Sequence, residues 1–258
     1  MSLSIAVAGA AGRMGHALID AASTQDDIRI VGATEAPGSA LVGQPLVGGV
    51  KVSGDPRSAA ASADVWIDFT TPQATLAALN VIQTRAAIIG TTGFTIDDEA
   101  KLAAAAQRMA IVRSGNFSLG VNLLAALVRQ AAAKLGPAWD IEIVETHHRR
   151  KVDAPSGTAL LLGDAAAQGR GVTLESARLA PRDGVTGARP EGGIGFAVLR
   201  GGGVIGEHDV VFAAEREVLT LSHQALDRAL FADGALAAAR WAAEKPPGLY
   251  SMQDVLGL

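Results

Sequence analysis

Cysteine is absent from the 258 residues. That excludes disulfides, thiolate metal sites and a cysteine nucleophile together. Aldehyde dehydrogenases that work through a thiohemiacetal go with them, although they share the N-terminal pattern described below. No cationic segment precedes an apolar stretch in the opening MSLSIAVAGAAGRMG, so no secretory signal is expected. The apolar and Ala-rich runs are broken by charges well short of a membrane span. A cytoplasmic protein with no membrane partner is therefore the expectation. An excess of positive charge is missing too. The formal net charge of −4 gives no overall field for nucleic acid, and any positive site must be local. There is no internal repeat. What remains is a globular composition, 49% hydrophobic and 19% charged, long enough for one large domain or two medium ones.

Up to about residue 118, short apolar runs alternate with helical stretches. Strands are predicted over 4–8, 29–34, 65–69, 87–89 and 110–113, and helices over 13–24 and 73–84. Thr71-Pro72 reads as a capped helix start. Thr95, followed by Asp97, Asp98 and Glu99, reads as another. This alternation predicts an N-terminal doubly wound, Rossmann-like parallel sheet. Beyond it the pattern predicts a long helix at 119–135, a strand at 140–145, a helix at 158–168, and consecutive strands at 195–200, 207–213 and 217–222. These last read as an antiparallel meander, giving a second α+β domain on a mixed or antiparallel sheet. Residues 170–193, rich in Gly, Pro and Arg without period, read as a functional or mobile loop. The tail returns to a helix from about 229. The expected division is 1–118 plus 229–258 for dinucleotide binding, and 119–228 for substrate binding and oligomerisation.

Gly9, Gly12 and Gly15 follow the first strand and cross a helix start. Gly9 permits the tight turn, Gly12 lets backbone approach a pyrophosphate, and Gly15 lets the helix pack on the sheet. The helix N-terminus then offers N–H groups to phosphate. The spacing is G-x-x-G-x-x-G, and on its own it is also compatible with an ordinary glycine turn. Context favours the dinucleotide: Glu35 ends the second strand, placed to accept hydrogen bonds from ribose hydroxyls. An acid there repels a 2′-phosphate, and no cation follows until Lys51. NADH is the expected cofactor; Arg13 keeps NADPH possible. Two further strand-end loops, Gly90-Thr91-Thr92 and Ser114-Gly115-Asn116-Phe117, are candidates to line the nicotinamide or its ribose, or are plain turns.

Two of the five histidines are adjacent in ETHHRRKVDAPSGTA, residues 145–159. Neighbours on a strand point to opposite faces, so His147 and His148 serve one ligand only where a strand ends. Alone they read equally as structural or surface groups, and the cations after them as a solvated face. Pro155-Ser156-Gly157-Thr158 then opens an apolar helix. Its amides at Ser156, Gly157 and Thr158 make an anion seat, with Lys151 adding full charge. This combination suits carboxylates. The spacing matches no metal site, so none is expected.

VAGAAGRMG, DFTTP (68–72), GTTGF (90–94), SGNFSLGVN (114–122), the histidine stretch and GEH (206–208) together resemble the dihydrodipicolinate reductase family, also called 4-hydroxy-tetrahydrodipicolinate reductases, over essentially the whole length. The resemblance implies NAD(P)H-dependent reduction of a cyclic unsaturated dicarboxylate, 4-hydroxy-tetrahydrodipicolinate, to tetrahydrodipicolinate in the diaminopimelate route to lysine. It implies His147 as proton donor and Lys151 as second donor or anchor. His148 would bind substrate, and Gly157 and Thr158 a carboxylate. Gly9, Ala10, Ala11, Gly12, Arg13, Met14, Glu35, Gly90, Thr91, Thr92, Ser114, Gly115, Asn116 and Phe117 would bind the dinucleotide. A homotetramer joined through the second domain's sheet is also implied. Some members carry a basic residue where Ala36 stands here, which weighs against NADPH. Competing readings are another two-domain nicotinamide oxidoreductase, such as a homoserine or sugar dehydrogenase, and a non-catalytic NADH sensor. Arg200, Glu207 and His208 have no assigned role at this point.

Overall fold

The computed structural model describes residues 2–258. Two compact units result. One runs up to Leu119 and resumes over Ala229–Leu258; the other is Gly120–Arg228.

The first unit contains β1 (Leu3–Ala8), α1 (Arg13–Ser23), β2 (Ile28–Thr34), β3 (Val52–Ser53), α2 (Pro56–Ala60), β4 (Val65–Asp68), α3 (Pro72–Leu79), β5 (Ala86–Ile89), α4 (Ile96–Ala105) and β6 (Ala110–Arg113). After the second unit it adds α8 (Ala229–Ala242), β11 (Gly248–Tyr250) and α9 (Met252–Leu256). Its seven strands, in the order β11-β6-β5-β4-β1-β2-β3, are all parallel. Strands covered on both faces read as unbroken apolar runs; β4 and β5 are buried at every residue. One face packs Ile5, Val7, Ile67 and Ile88 against Leu18 and Leu236. The other packs Trp66, Ile89 and Ile111 against Leu79 and Leu102. Thr71 caps α3 by accepting from the Ala74 amide, with Pro72 at the first helical position. Thr95 and Asp98 form a reciprocal capping box on α4. The short α2 was not foreseen, although Asp55 caps it ahead of Pro56 in the manner of Thr71-Pro72.

The second unit holds most of α5 (Leu119–Leu135), then β7 (Asp140–His147), α6 (Gly157–Gly169), α7 (Leu174–Ala177), β8 (Ile194–Arg200), β9 (Gly206–Ala213) and β10 (Val218–Ala225). The sheet order is β10-β9-β7-β8. The expected three-strand meander is thereby corrected: only β9 and β10 form an antiparallel hairpin, and β7 lies between β8 and β9. The chain leaves β7, crosses through α6 and returns as β8, and such a crossover gives the parallel pair observed. The stretch 170–193 is not structureless. It includes α7, and Arg189 pins its end, donating from Nη1 to Asp140 (2.7 Å), from Nε to Glu142 (2.9 Å), and from Nη2 to the Ile141 and Gly193 carbonyls (2.9 and 2.8 Å).

Alternation along β7 sends Ile141, Ile143, Glu145 and His147 to one face, all buried. Across the sheet, Ile141 pairs with Phe212 and Ile143 with Val210, beneath Val128 and Leu162 from α5 and α6. Two residues further on the same face turns polar, with Glu145 opposite His208. Among the described residues no helix is long and apolar enough to cross a membrane.

Candidate active site

In the first unit a cavity of about 460 Å³ is lined by Gly9, Ala11, Gly12, Arg13, Met14, Glu35, Phe69 and Thr70, among others. It opens beyond the C-terminal ends of β1 and β4, adjacent strands whose continuations run to opposite edges of the sheet. That is where ligands bind in open α/β sheets. Gly9 adopts φ +62°, and a Cβ on Gly15 would lie 2.2 Å from the Gly9 carbonyl oxygen. The turn therefore needs both glycines. Glu35 closes the loop from the other side, Oε1 accepting from the Ala11 amide at 2.8 Å and Oε2 from the Ala36 amide at 3.3 Å. Glycine turn, helix start and carboxylate together fit a dinucleotide.

Several expected cofactor residues contribute backbone rather than side chain. Ala10 is buried in a core cluster and its amide donates to the Thr34 carbonyl at 3.0 Å. The Phe117 ring, 1% exposed, packs edge-on against Phe69 at 5.3 Å, so what this residue can offer a dinucleotide is its backbone. The Thr91 hydroxyl also turns inward, to Thr75 (2.9 Å) and Asp68 (3.3 Å). Gly90, Thr92 and Gly115 are at least partly exposed. Ser114 and Asn116 close a local turn: the Asn116 amide donates to Ser114 Oγ at 3.1 Å, and Oγ donates to the Asn116 carbonyl at 2.7 Å. Sequence reasoning missed Asp68 beneath this region. It is fully buried and accepts from the Thr70 amide (2.9 Å), Thr70 Oγ1 (2.6 Å), Thr91 Oγ1 and Trp66 Nε1 (3.3 Å). One carboxylate thus ties the loop after β4 to the loop after β5.

In the second unit β7 ends at His147, and the chain then turns, the Lys151 amide donating to the His148 carbonyl at 3.0 Å. His147 is buried, His148 half-buried, and Arg149 and Arg150 are exposed. Lys151 Nζ pairs with Asp153 at 2.9 Å. Ser156 caps α6 by accepting from the Ala159 amide at 3.2 Å. Its own amide, expected in the anion seat, is instead taken by Glu145 Oε1 at 2.8 Å, and the residue is 1% exposed. The seat therefore reduces to the turn at Gly157 and Thr158, with Gly157 exposed at the helix start.

The buried group behind this turn was not read from sequence. Glu145 Oε2 contacts His147 Nδ1, and Oε1 also accepts from Arg200 Nη2 at 3.0 Å. His208 stands edge-on to His147 at 5.1 Å, with Nε2 3.3 Å from Ser156 Oγ. Glu145 and His147 are two apart on a strand, and that spacing was the available signal. Burial is the largest influence on Glu145 and works against its charge, but Arg200, the Ser156 amide and His147 outweigh it, holding the carboxyl below its ordinary range. Burial likewise draws His147 below the usual histidine value; Glu145 opposes this, and Lys151 and Arg200 reinforce it. His148 is lowered by burial and then by Arg228, Arg150 and Lys151. Burial drives His208 down to about 4, so it is neutral near pH 7. Donor atoms of Glu145, His147 and His208 lie within 4.8 Å of one another, the grouping a metal would need. A dication there would face Arg200 and Lys151, and the set suits proton handling better.

Comparison with known proteins gives the same picture over both units. The family model for the N-terminus of dihydrodipicolinate reductase matches residues 3–117, and that for its C-terminus matches residues 120–256. The 4-hydroxy-tetrahydrodipicolinate reductase of Parvibaculum lavamentivorans is 54% identical over 99% of this chain and 98% of its own length. That of Caulobacter vibrioides is 54% identical over 98% and 96%. Among solved structures, a dipicolinate-bound dihydrodipicolinate reductase from Paenisporosarcina sp. TG-14 superposes with a TM-score of 0.80 at 24% identity, covering 98% of this chain and 99% of that one, and supports the fold.

Proposed function

The chain belongs to the dihydrodipicolinate reductase family, and from that premise we propose that His147 is the proton donor, and Lys151 the cationic anchor for a carboxylate, in reduction of 4-hydroxy-tetrahydrodipicolinate. The enzyme is a pyridine-nucleotide-dependent reductase of the lysine and diaminopimelate route. A neutral-sugar dehydrogenase would have no use for the cationic turn, and an NADH sensor none for an ordered histidine. The observation that carries the residue assignment is a buried histidine held by a carboxylate at a strand end, in the electrostatic reach of Lys151.

Gly9, Gly12, Arg13 and Glu35 would hold the dinucleotide, and its reduced nicotinamide would supply the hydride. The chain's residues do the rest. Gly157, Thr158, His148 and Lys151 hold the two carboxylates and set the ring's orientation. The 4-hydroxyl leaves as water, and His147 gives a proton as the resulting unsaturated ring takes up the hydride, and is left neutral. The two negative charges favour the protonated imidazole, offsetting the burial and cations that favour the neutral one. Glu35 holds the adenosine ribose and rejects a 2′-phosphate, so NADH is preferred over NADPH. The assembly is a homotetramer joined through the second unit's sheet. The face turned away from α5 and α6 leaves Leu199 at 51% and Val218 at 62% exposed, which a second copy would cover.

The test is a coupled assay that generates the substrate from pyruvate and aspartate semialdehyde, run with each cofactor. His147→Gln is expected to lower kcat by about 10²-fold, and Lys151→Ala to lower kcat and raise the substrate KM. Native rates in both variants would overturn the assignment. A higher kcat/KM with NADPH would overturn the cofactor preference, and a monomer mass by light scattering the assembly.

A further inference from the structure

In the reading above Glu145 does no more than hold His147 in place, yet it is the most completely enclosed acid of the second unit, at 1% exposure. Each of its oxygens is engaged. Oε2 meets His147 Nδ1; Oε1 accepts from the Ser156 amide and from Arg200 Nη2, and the same Arg200 nitrogen donates to the Asp153 carbonyl at 2.7 Å. Burying a carboxylate is costly unless it is paired and hydrogen-bonded, and three elements supply the partners: β7, the start of α6 and the end of β8. The other histidine nitrogen lies on a cleared side. Gly206 stands beside His147 across the sheet, and a Cβ there would come within 3.0 Å of Nε2.

We infer that Glu145 is a positioning residue: its carboxylate holds the Nδ1–H of His147, leaves Nε2 as the nitrogen that gives the proton, and locks that histidine to the turn that seats the substrate. The inference rests on His147 being the donor. Glu145 selects the tautomer, because an ionised carboxylate only accepts and Nδ1 must therefore carry hydrogen. It stabilises the imidazolium, which carries hydrogen on both nitrogens. It couples position as well, since one oxygen reaches the first turn of α6 while the other reaches the ring. The charged and titratable groups around His147 are Glu145 on its own strand, Arg200 on β8, His208 on β9 with His223 behind it on β10, and Lys151 in the turn. His208, neutral near pH 7, adds no repulsion; Glu145 is the anion in contact with His147 and Arg200, while Asp153 pairs with Lys151.

Glu145→Gln replaces this anion with an amide of the same shape. Its oxygen can still accept from Ser156 and Arg200, so its NH₂ faces Nδ1 and opposes protonation there. Expected are a fall in kcat approaching that of His147→Gln, about 10²-fold, and an alkaline limb of the kcat–pH profile moved to lower pH. The KM for NADH stays within twofold. Glu145→Asp keeps the charge and restores part of both rate and limb. A merely structural role would lower kcat without moving the limb. Native kcat and limb in folded Glu145→Gln, with His147→Gln impaired, would overturn this inference alone. Native rate in His147→Gln would overturn the donor assignment beneath it. If Glu145→Gln does not fold, Glu145→Asp decides: an intermediate rate with a displaced limb supports the inference, and a native profile refutes it.

Discussion

Acid stability gives the sharpest physical test of the second unit. His208 is 4% exposed and its pKa falls from 6.5 to about 4, driven first by burial and then by His147, with His223 and Lys151 adding to it against Glu145. In the unfolded chain it titrates near 6.5. Between these values the unfolded state binds the proton and the folded state does not, so stability falls as pH falls. The contribution is fully present above about 6.5 and is lost progressively down to about 4. A difference of 2.5 at 1.36 kcal/mol per pKa unit is about 3 kcal/mol. For a chain of this size each kcal/mol moves Tm by about 2–4 °C, so His208 alone accounts for roughly 6–12 °C between pH 7 and pH 4. The carboxyls of Asp27, Asp98, Glu145, Asp153 and Asp254 also sit low, and they too weaken the fold on acidification. The measurement is therefore the difference between the native chain and His208→Gln, followed by thermal melts at half-unit steps. His208→Gln should start no more stable at pH 7 and gain on the native chain as pH drops. Parallel curves from pH 7 to pH 4 would refute the buried neutral histidine.

Two substitutions separate catalysis from architecture. Gly206→Ala places a Cβ 3.0 Å from His147 Nε2; it should cut kcat by up to about 10²-fold, the scale of a misplacement of about 1 Å, and leave the KM for NADH unchanged. Arg189→Met removes donors from Asp140, Glu142 and three carbonyls. It should destabilise the second unit by roughly 2–3 kcal/mol, visible in the denaturation midpoint, with activity per folded molecule retained.

The parallel sheet was legible because each of its longer strands is a short apolar run closed by a turn or cap signal. Strands of two or three residues, β3 and β11, lie below what periodicity resolves; β3 pairs with β2, the strand before it, and β11 with β6, far away in the sequence. The glycine loop and Glu35 were legible for a related reason: a tight turn, a helix start and a strand-end acid are all local. The order of the second sheet was not. Consecutive strands imply a meander, and only the crossover through α6 places β7 between β8 and β9. Asp68 and Phe117 were hidden for another reason. A motif names positions without saying which face inward, and here the carboxylate and the ring both do.

The histidine site follows from the same alternation that builds the core beneath it. Ile141 and Ile143 require the face of β7 that α5 and α6 cover, and period two then commits Glu145 and His147 to that face as well. The helix cannot continue over them, because Ser156 caps α6 there and its amide needs an acceptor. Glu145 is that acceptor. Moving the register of β7 by one residue would expose both isoleucines, so the hydrophobic core holds the acid and the histidine in place. A sheet that is apolar for two rows and ionisable for the next can bury an acid and a histidine in contact without a loop to carry them. The stiffness of the core becomes the precision of the site.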